Sequence, residues 1–359
     1  MLRAGLAAAG LALLGLTGCA GSAHAPAAGT VSEPASASTR DVQFASGKLV
    51  LAGTLHVPEG MGQRPAVVLL HGSGPLSRDS ELTGQLAMKF GCTVDLFEDL
   101  AEGLQNDGFV VLRYDKRTCG PFNDCGDNDY PFPGLTHVVG DLLADATAAV
   151  QFVAKQPEVD PKRVYVVGHS EGGVLVPKLL TDVAELRGGV MLAAPHWSID
   201  RVLEEQVSFL REVLTQQGMS ETSQNAILSE LNRQVAATKG LRAGTYGGGV
   251  IGGAPSVYWK SLMDLGDQSA ALAAATPKPL MALSGDYDWN VPPRETEDWR
   301  RTFSSQDPAV HRAKVLPCIT HAMTCIEERD PAKIRPRDIT CDVDPRVTQE
   351  VIDFLRQHP

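Results

Sequence analysis

The residues of this chain that can do chemistry together are a serine held between glycines, a late histidine and an acid-bearing loop. The serine is Ser170, in Gly168-His169-Ser170-Glu171-Gly172. With 35 glycines in 359 residues the five-residue pattern alone is weak, and its setting has to decide. It follows the apolar strand-like run Arg163–Val167 and opens a segment of helical pattern. A sharp strand-to-helix turn lifts a serine hydroxyl clear of its sheet, and the flanking glycines permit the tight backbone. A hydroxyl is a poor nucleophile at neutral pH. It needs a base to take its proton and an acid to hold that base in one tautomer. For a serine on such a turn the chain order is serine, then acid, then histidine. Of the nine histidines only His311, His321 and His358 come late enough. His358 is penultimate, where chains fray. His311 precedes a strand and so falls at its wrong end. His321 follows a strand, where catalytic groups gather, so it is the expected base. The acid should follow the strand Leu280–Ser284, and Asp286 and Asp288 both qualify.

A tetrahedral intermediate carries a negative oxygen that needs two backbone N–H donors. One is expected from Glu171, the residue after the nucleophile. The other is expected from Ser73 in His71-Gly72-Ser73-Gly74, the loop after the apolar run Pro65–Leu70. His71 is expected to be a structural hydrogen-bonded residue beneath that loop. Trp259 and Trp289 are candidates for the substrate pocket, with plain packing as the alternative. Arg78-Asp79 and Asp115-Lys116-Arg117 follow strand ends and are expected to form internal ion pairs rather than bind a substrate carboxylate.

These residues need a scaffold, and the pattern supplies one. Short apolar strands alternate with helical patterns: a hairpin over 42–57, strands at 65–70, 109–114, 163–167, 189–193, 280–284 and 314–316, and helices at 94–105, 138–156, 172–186, 293–303 and 347–356. Strands joined by helices imply a doubly wound, mostly parallel sheet covered on both faces. Residues 197–275 break the alternation with two helical patterns and a Gly-rich stretch, Gly240–Pro255. That is more chain than one crossover needs, and it is expected to be a helical cap inserted between two halves of the core, 41–196 and 276–359.

The first residues read differently. Arg3 supplies a positive start, and Leu6–Leu16 form a short apolar stretch that ends in Leu16-Thr17-Gly18-Cys19. This is the pattern of a signal peptide over 1–18, too short for a mature membrane span. The Leu-x-Gly-Cys ending resembles a bacterial lipobox, which implies cleavage before Cys19 and lipid on its thiol. Residues 19–40, rich in Ala, Ser and Pro, read as a flexible tether. Without Cys19, six of the seven cysteines remain: Cys92, Cys119, Cys125, Cys318, Cys325 and Cys341. An even count in an exported chain favours disulfides. Cys119 and Cys125 are the best local pair, while Cys318 and Cys325 bracket His321. No Cys-x-x-Cys pattern points to a metal. A net charge of −11 argues against a nucleic-acid partner.

Five segments together resemble a bacterial α/β-hydrolase family akin to dienelactone hydrolases and S9/S33-type serine hydrolases. They are LAGTL (51–55), PAVVLLHGSGPLSRDS (65–80), VLRYDKR (111–117), VVGHSEGGVLVPKL (166–179) and GDYDWNVPP (285–293). The resemblance implies the α/β-hydrolase fold and the Ser170–Asp288–His321 triad. Its acid loop places the acid at Asp288 rather than Asp286. It also implies esterase-like acyl transfer on a small-molecule acyl ester, with no metal and no cofactor. Thr118-Cys119 stands where such proteins usually have glycines. A peptidase or amidase of the same fold is the alternative, and a non-catalytic lipid-anchored binding protein the second. The expected location is the bacterial cell envelope, with membrane contact through the lipid alone.

Overall fold

Residues in the apolar runs alternate between two separate cores, and that alternation builds the sheet. In the computed structural model, which describes residues 36–82, 93–119, 137–330, 333, 335, 338 and 340–359, the main-sheet strands are β1 (Ser38–Ser46), β2 (Leu49–Val57), β3 (Arg64–Leu70), β4 (Val110–Tyr114), β5 (Val159–His169), β6 (Leu186–Leu192), β7 (Leu280–Gly285) and β8 (His311–Leu316). Along β3, Ala66, Val68 and Leu70 face one core while Val67 and Leu69 face the other. Val164 and Val166 of β5 oppose Tyr165 and Val167 in the same way. Both sheet faces are therefore buried, as period-2 side-chain geometry requires of an apolar run.

The strand order is β1-β2-β4-β3-β5-β6-β7-β8. β2 runs antiparallel to both β1 and β4, and all other neighbours are parallel. This is the α/β-hydrolase arrangement. Helices α1 (Leu96–Asn106) and α9 (Pro345–Arg356) cover one face. Helices α2 (Val139–Val153), α3 (Glu171–Asp182) and α8 (Pro293–Phe303) cover the other. Both sets carry an apolar stripe at helical spacing, such as Leu96, Leu100 and Leu104 on α1.

The strand β1 starts at Ser38, inside the segment read as tether, because Ser38–Arg40 pair with Leu55–Val57 of β2. Arg40 also reaches Glu158 at 2.9 Å. The expected signal peptide and Cys19 lie outside the described residues, as do Cys92 and Cys125.

Between β6 and β7 the chain forms α4 (Ile199–Gln216), α5 (Glu221–Ile227), α6 (Ser229–Arg242) and α7 (Ser256–Ala275). They do not form one unit of uniform kind. In α4 only Asp200, Val202 and Leu203 are buried, and in α6 only Thr238. α7 instead contributes Tyr258, Leu262, Leu265 and Ala273 to the same core as β3 and β5. The segment expected to be a cap thus ends in a core helix. α4 also carries apolar residues on its outer turns, but Val207, Leu210, Val213 and Leu214 there are only half-buried.

Candidate active site

The turn at Ser170 is forced by steric fit. Ser170 follows β5 and caps α3 with φ 53° and ψ −116°, a left-handed conformation for a residue with a side chain. Such strain costs on the order of 1–3 kcal/mol and persists only where the surroundings impose it. A Cβ on Gly172 would lie 2.1 Å from the Leu70 carbonyl oxygen, and one on Gly168 would lie 2.3 Å from that of Gly172. Only glycine permits this approach of α3 to β3. The Ser170 N–H is held by Leu192 O of β6 at 2.8 Å.

The acid and base loops follow β7 and β8, which are parallel neighbours. They are joined to each other by backbone bonds: Asp286 N–H to Leu316 O and Tyr287 N–H to Ile319 O, each 3.0 Å. Asp288 is buried, and its Oδ1 accepts from the N–H groups of Asn290 and Val291, each at 2.8 Å. Its Oδ2 lies 2.9 Å from His321 Nδ1. That bond fixes the tautomer with the proton on Nδ1, which leaves Nε2 as the acceptor. Asp286 turns away. It accepts from Cys318 N–H at 2.7 Å and pairs with Arg329 at 3.0 Å. Two positions of difference decide which carboxylate meets the ring.

The histidine loop is closed by a Cys318–Cys325 disulfide and by bonds from Thr320 N–H to Thr324 O and from Ile326 N–H to Cys318 O, each 2.8 Å. A further restraint was not evident from the sequence. His169, the residue before the nucleophile, is buried and donates from Nε2 to His321 O at 2.8 Å. Burial, reinforced by the neighbouring His321 ring, pushes its pKa down to about 3. It is therefore a neutral donor that ties the base loop to the nucleophile turn. Only its place inside the serine pentapeptide could have drawn attention to it.

Ser73, Ser170, Glu171 and His321 all line one cavity of about 270 Å³. Its walls are apolar: Val174, Val202, Leu203, Leu262 and the ring of Trp259. Trp259 is fixed there by its indole N–H, which donates to Ile251 O at 2.8 Å. Trp289 packs instead against Phe209 and Tyr287, bracing the acid loop on α4. Trp197, unnoticed in the sequence, takes a place in the wall. His71 Nε2 bonds to Ser77 O at 3.1 Å beneath the Ser73 loop. Burial first, and then the charge of Lys116, pushes the His71 pKa down to about 3. His311 opens β8 at the end remote from Ser170, and His358 lies against Phe354. The charged strand-end segments pair internally, Arg78 with Asp115 at 2.8 Å and Arg117 with Asp145 at 2.6 Å.

The sequence profile of the Hydrolase_4 family, serine aminopeptidase S33, matches residues 89–329, which include all of these loops except that of Ser73. The chain belongs to that family. Esterase EstD of Thermotoga maritima is 28% identical over 306 residues, 85% of this chain, and the chain spans 65% of that relative's length. Among solved structures, Est1E of Butyrivibrio proteoclasticus with ferulic acid bound has a TM-score of 0.53 at 14% identity, over 88% of this chain and 98% of that one. The acylaminoacyl peptidase of Pyrococcus horikoshii has a TM-score of 0.53 at 13% identity, over 90% of this chain and 41% of that one. Those two likenesses concern the fold.

Glu295, at the start of α8, is fully buried next to this site. Its Oε2 accepts from His196 N–H at 2.8 Å and Trp197 N–H at 3.2 Å, so it anchors the chain entering α4. Burial raises its pKa to about 7 against the pull of those two donors, with Asp288 adding repulsion. Between its ordinary value of 4.5 and about 7, the folded protein keeps a proton that the unfolded chain has released. Stability therefore falls as pH rises through that window.

Two outcomes follow from this geometry. Asp288→Asn should lower kcat by about 10³–10⁴-fold through loss of the correct tautomer, while Asp286→Asn should stay within several-fold of wild type; equal losses would reject the assignment of roles. Glu295→Gln keeps an acceptor for both N–H groups and removes the charge. Its thermal midpoint should exceed wild type by about 2–6 °C at pH 8 and by little at pH 5. A pH-independent difference in midpoint would show that the Glu295 carboxyl titrates alike in the folded and unfolded chain.

Proposed function

We propose that the chain hydrolyses carboxylic esters through an acyl-serine. The observation that carries this reading is that His321, paired with buried Asp288, lines the same largely apolar cavity as Ser170. Ser170 Oγ adds to the ester carbonyl carbon as His321 Nε2 takes its proton. The N–H groups of Ser73 and Glu171 receive the negative oxygen. Collapse expels the alkoxide, which takes the proton from His321. Water then enters by the same route and releases the acid. Asp288 stays ionised and stabilises the imidazolium formed in each half.

The cavity supports esters over peptides. An exopeptidase has to hold a charged chain terminus. Among the described residues lining the cavity, the ionisable side chains are His169, Glu171 and His321. His169 is neutral, and Glu171 is already matched by Lys116 and Tyr258. Such walls favour an uncharged apolar acyl group, and the esterase name of the Thermotoga relative is consistent with that. Ser170→Ala should reduce turnover of p-nitrophenyl acyl esters by at least about 10⁴-fold and abolish labelling by a fluorophosphonate probe. Undiminished ester turnover in that variant, or faster wild-type cleavage of aminoacyl p-nitroanilides than of esters, would overturn the reading.

We infer further that the protein is exported and tethered to the cell envelope by lipid on Cys19. Leu16-Thr17-Gly18-Cys19 supports this, as does the Cys318–Cys325 disulfide, since such bonds persist in oxidising compartments. In a bacterial host the protein should incorporate a fatty-acid label and sediment with membranes, and Cys19→Ser should lose both properties. An unlabelled wild-type protein in the soluble fraction would reject the tether.

A further inference from the structure

The residue after the nucleophile usually matters for its N–H alone, yet here its side chain is among the most buried charges in the chain. Glu171 is 3% exposed. Its Oε1 lies 3.2 Å from Lys116 Nζ, and its Oε2 accepts from the Tyr258 hydroxyl. Lys116 and Tyr258 are each 5% exposed. Lys116 Nζ also donates to Gly72 O at 2.6 Å. That carbonyl belongs to the same peptide unit as the Ser73 N–H. In a trans peptide the C=O and N–H point in opposite directions. A cation fixed on the Gly72 oxygen therefore turns the Ser73 N–H away from itself and polarises it. Gly72 and Ser73 both line the cavity, whereas Lys116 and Tyr258 do not.

Resting on the acyl-serine reading above, we propose that Lys116, Glu171 and Tyr258 form a buried positioning unit that sets both oxyanion donors, Ser73 N–H and Glu171 N–H, from behind. Lys116 acts on the first donor through its bond to the Gly72 carbonyl. Glu171 carries the second donor on its own backbone, and the two bonds to its carboxylate fix that residue at the head of α3. Tyr258 closes the unit from α7, which packs beside α3 within the same core. Its seat is well defined. The His137 ring lies 5.0 Å from the Tyr258 ring, and Ser261 Oγ accepts from Val139 N–H of α2 at 3.0 Å. Burial, and then the charge of Glu171, pushes the Tyr258 hydroxyl well above its ordinary pKa, so it stays a donor. The insertion between β6 and β7 is thereby part of the machinery that places the intermediate, besides walling the cavity.

Tyr258→Phe and Lys116→Met test this, with kcat, KM and inhibitor affinity measured on a p-nitrophenyl ester. Neither side chain lines the substrate cavity, so KM should stay within about two-fold. Lys116→Met should lower kcat by roughly ten- to a hundred-fold, short of the full loss of an oxyanion donor. Tyr258→Phe keeps the ion pair and should lower kcat by about three- to ten-fold. Affinity for an alkyl boronic acid, whose tetrahedral adduct places an oxygen between the two donors, should fall in parallel with kcat. Affinity for the product carboxylic acid should not. Lys116→Met strands a buried carboxylate and could prevent folding; Tyr258→Phe removes one hydroxyl and then decides alone. Wild-type kcat in the variants that fold, or losses confined to KM with boronate affinity unchanged, overturns the proposal. Because Ser170→Ala is measured beside them, loss of the acyl-serine reading itself shows separately, as turnover that survives without the serine.

Discussion

The contact between the head of α3 and the end of β3 is the constraint on which the rest of the site depends. Gly172 rides against the Leu70 carbonyl with no room for a methyl group. This closeness holds Ser170 in its left-handed conformation just beyond the carboxyl end of β5, where it lines the cavity. It also brings Glu171 to the same cavity as Ser73 of the loop that follows β3. A looser turn would separate the nucleophile from both. The strain is sustained because Ser170 sits between strands buried on both faces, where relaxation would cost packing in two cores at once.

Around that turn the other loops are held by backbone bonds and by side chains together. The acid and base loops are cross-bonded at Leu316 and Ile319, and the base loop is further closed by Cys318–Cys325 and by His169. Each restraint removes freedom from His321 before substrate arrives, and positioning of this kind lowers the entropic part of a barrier. Asp288 completes the set: its two backbone donors and the histidine leave it little latitude to rotate.

What the sequence made legible was local or ordered. Ser170 stands out because its glycines sit within two residues of it. His321 emerges because only a few histidines come late enough in the chain. The strands around them are readable because apolar runs buried on both faces have a simple signature. The choice between Asp288 and Asp286 did not follow from the residues themselves, since both sit in one turn and the decision rests on which carboxylate the neighbouring loop accepts. The double role of α7 was not legible, because a helical period looks the same whether it faces a core, a cavity or both. Of the two tryptophans weighed between pocket and packing, Trp289 packs onto α4, a choice that residue type alone does not make. The Lys116–Glu171–Tyr258 contacts join positions 55 and 87 residues apart. No spacing rule reaches that far.

A buried ion pair is a weak device for stability, since desolvating both charges offsets most of their attraction. Lys116 and Glu171 would be poor replacements for two apolar residues if folding alone were at stake. Their value lies in direction: a lysine ammonium can hold a carbonyl oxygen and a carboxylate at once, which no apolar pair can do. The same reasoning applies to the insertion. α4 presents Val202 and Leu203 to the cavity, packs Phe209 on Trp289 and pairs Asp200 with Arg242. α7 walls the cavity with Trp259 and Leu262 and, one residue before that tryptophan, sends Tyr258 to the Glu171 carboxylate. Pocket shape and the setting of Glu171 thus share one helix, so a change in α7 reaches both.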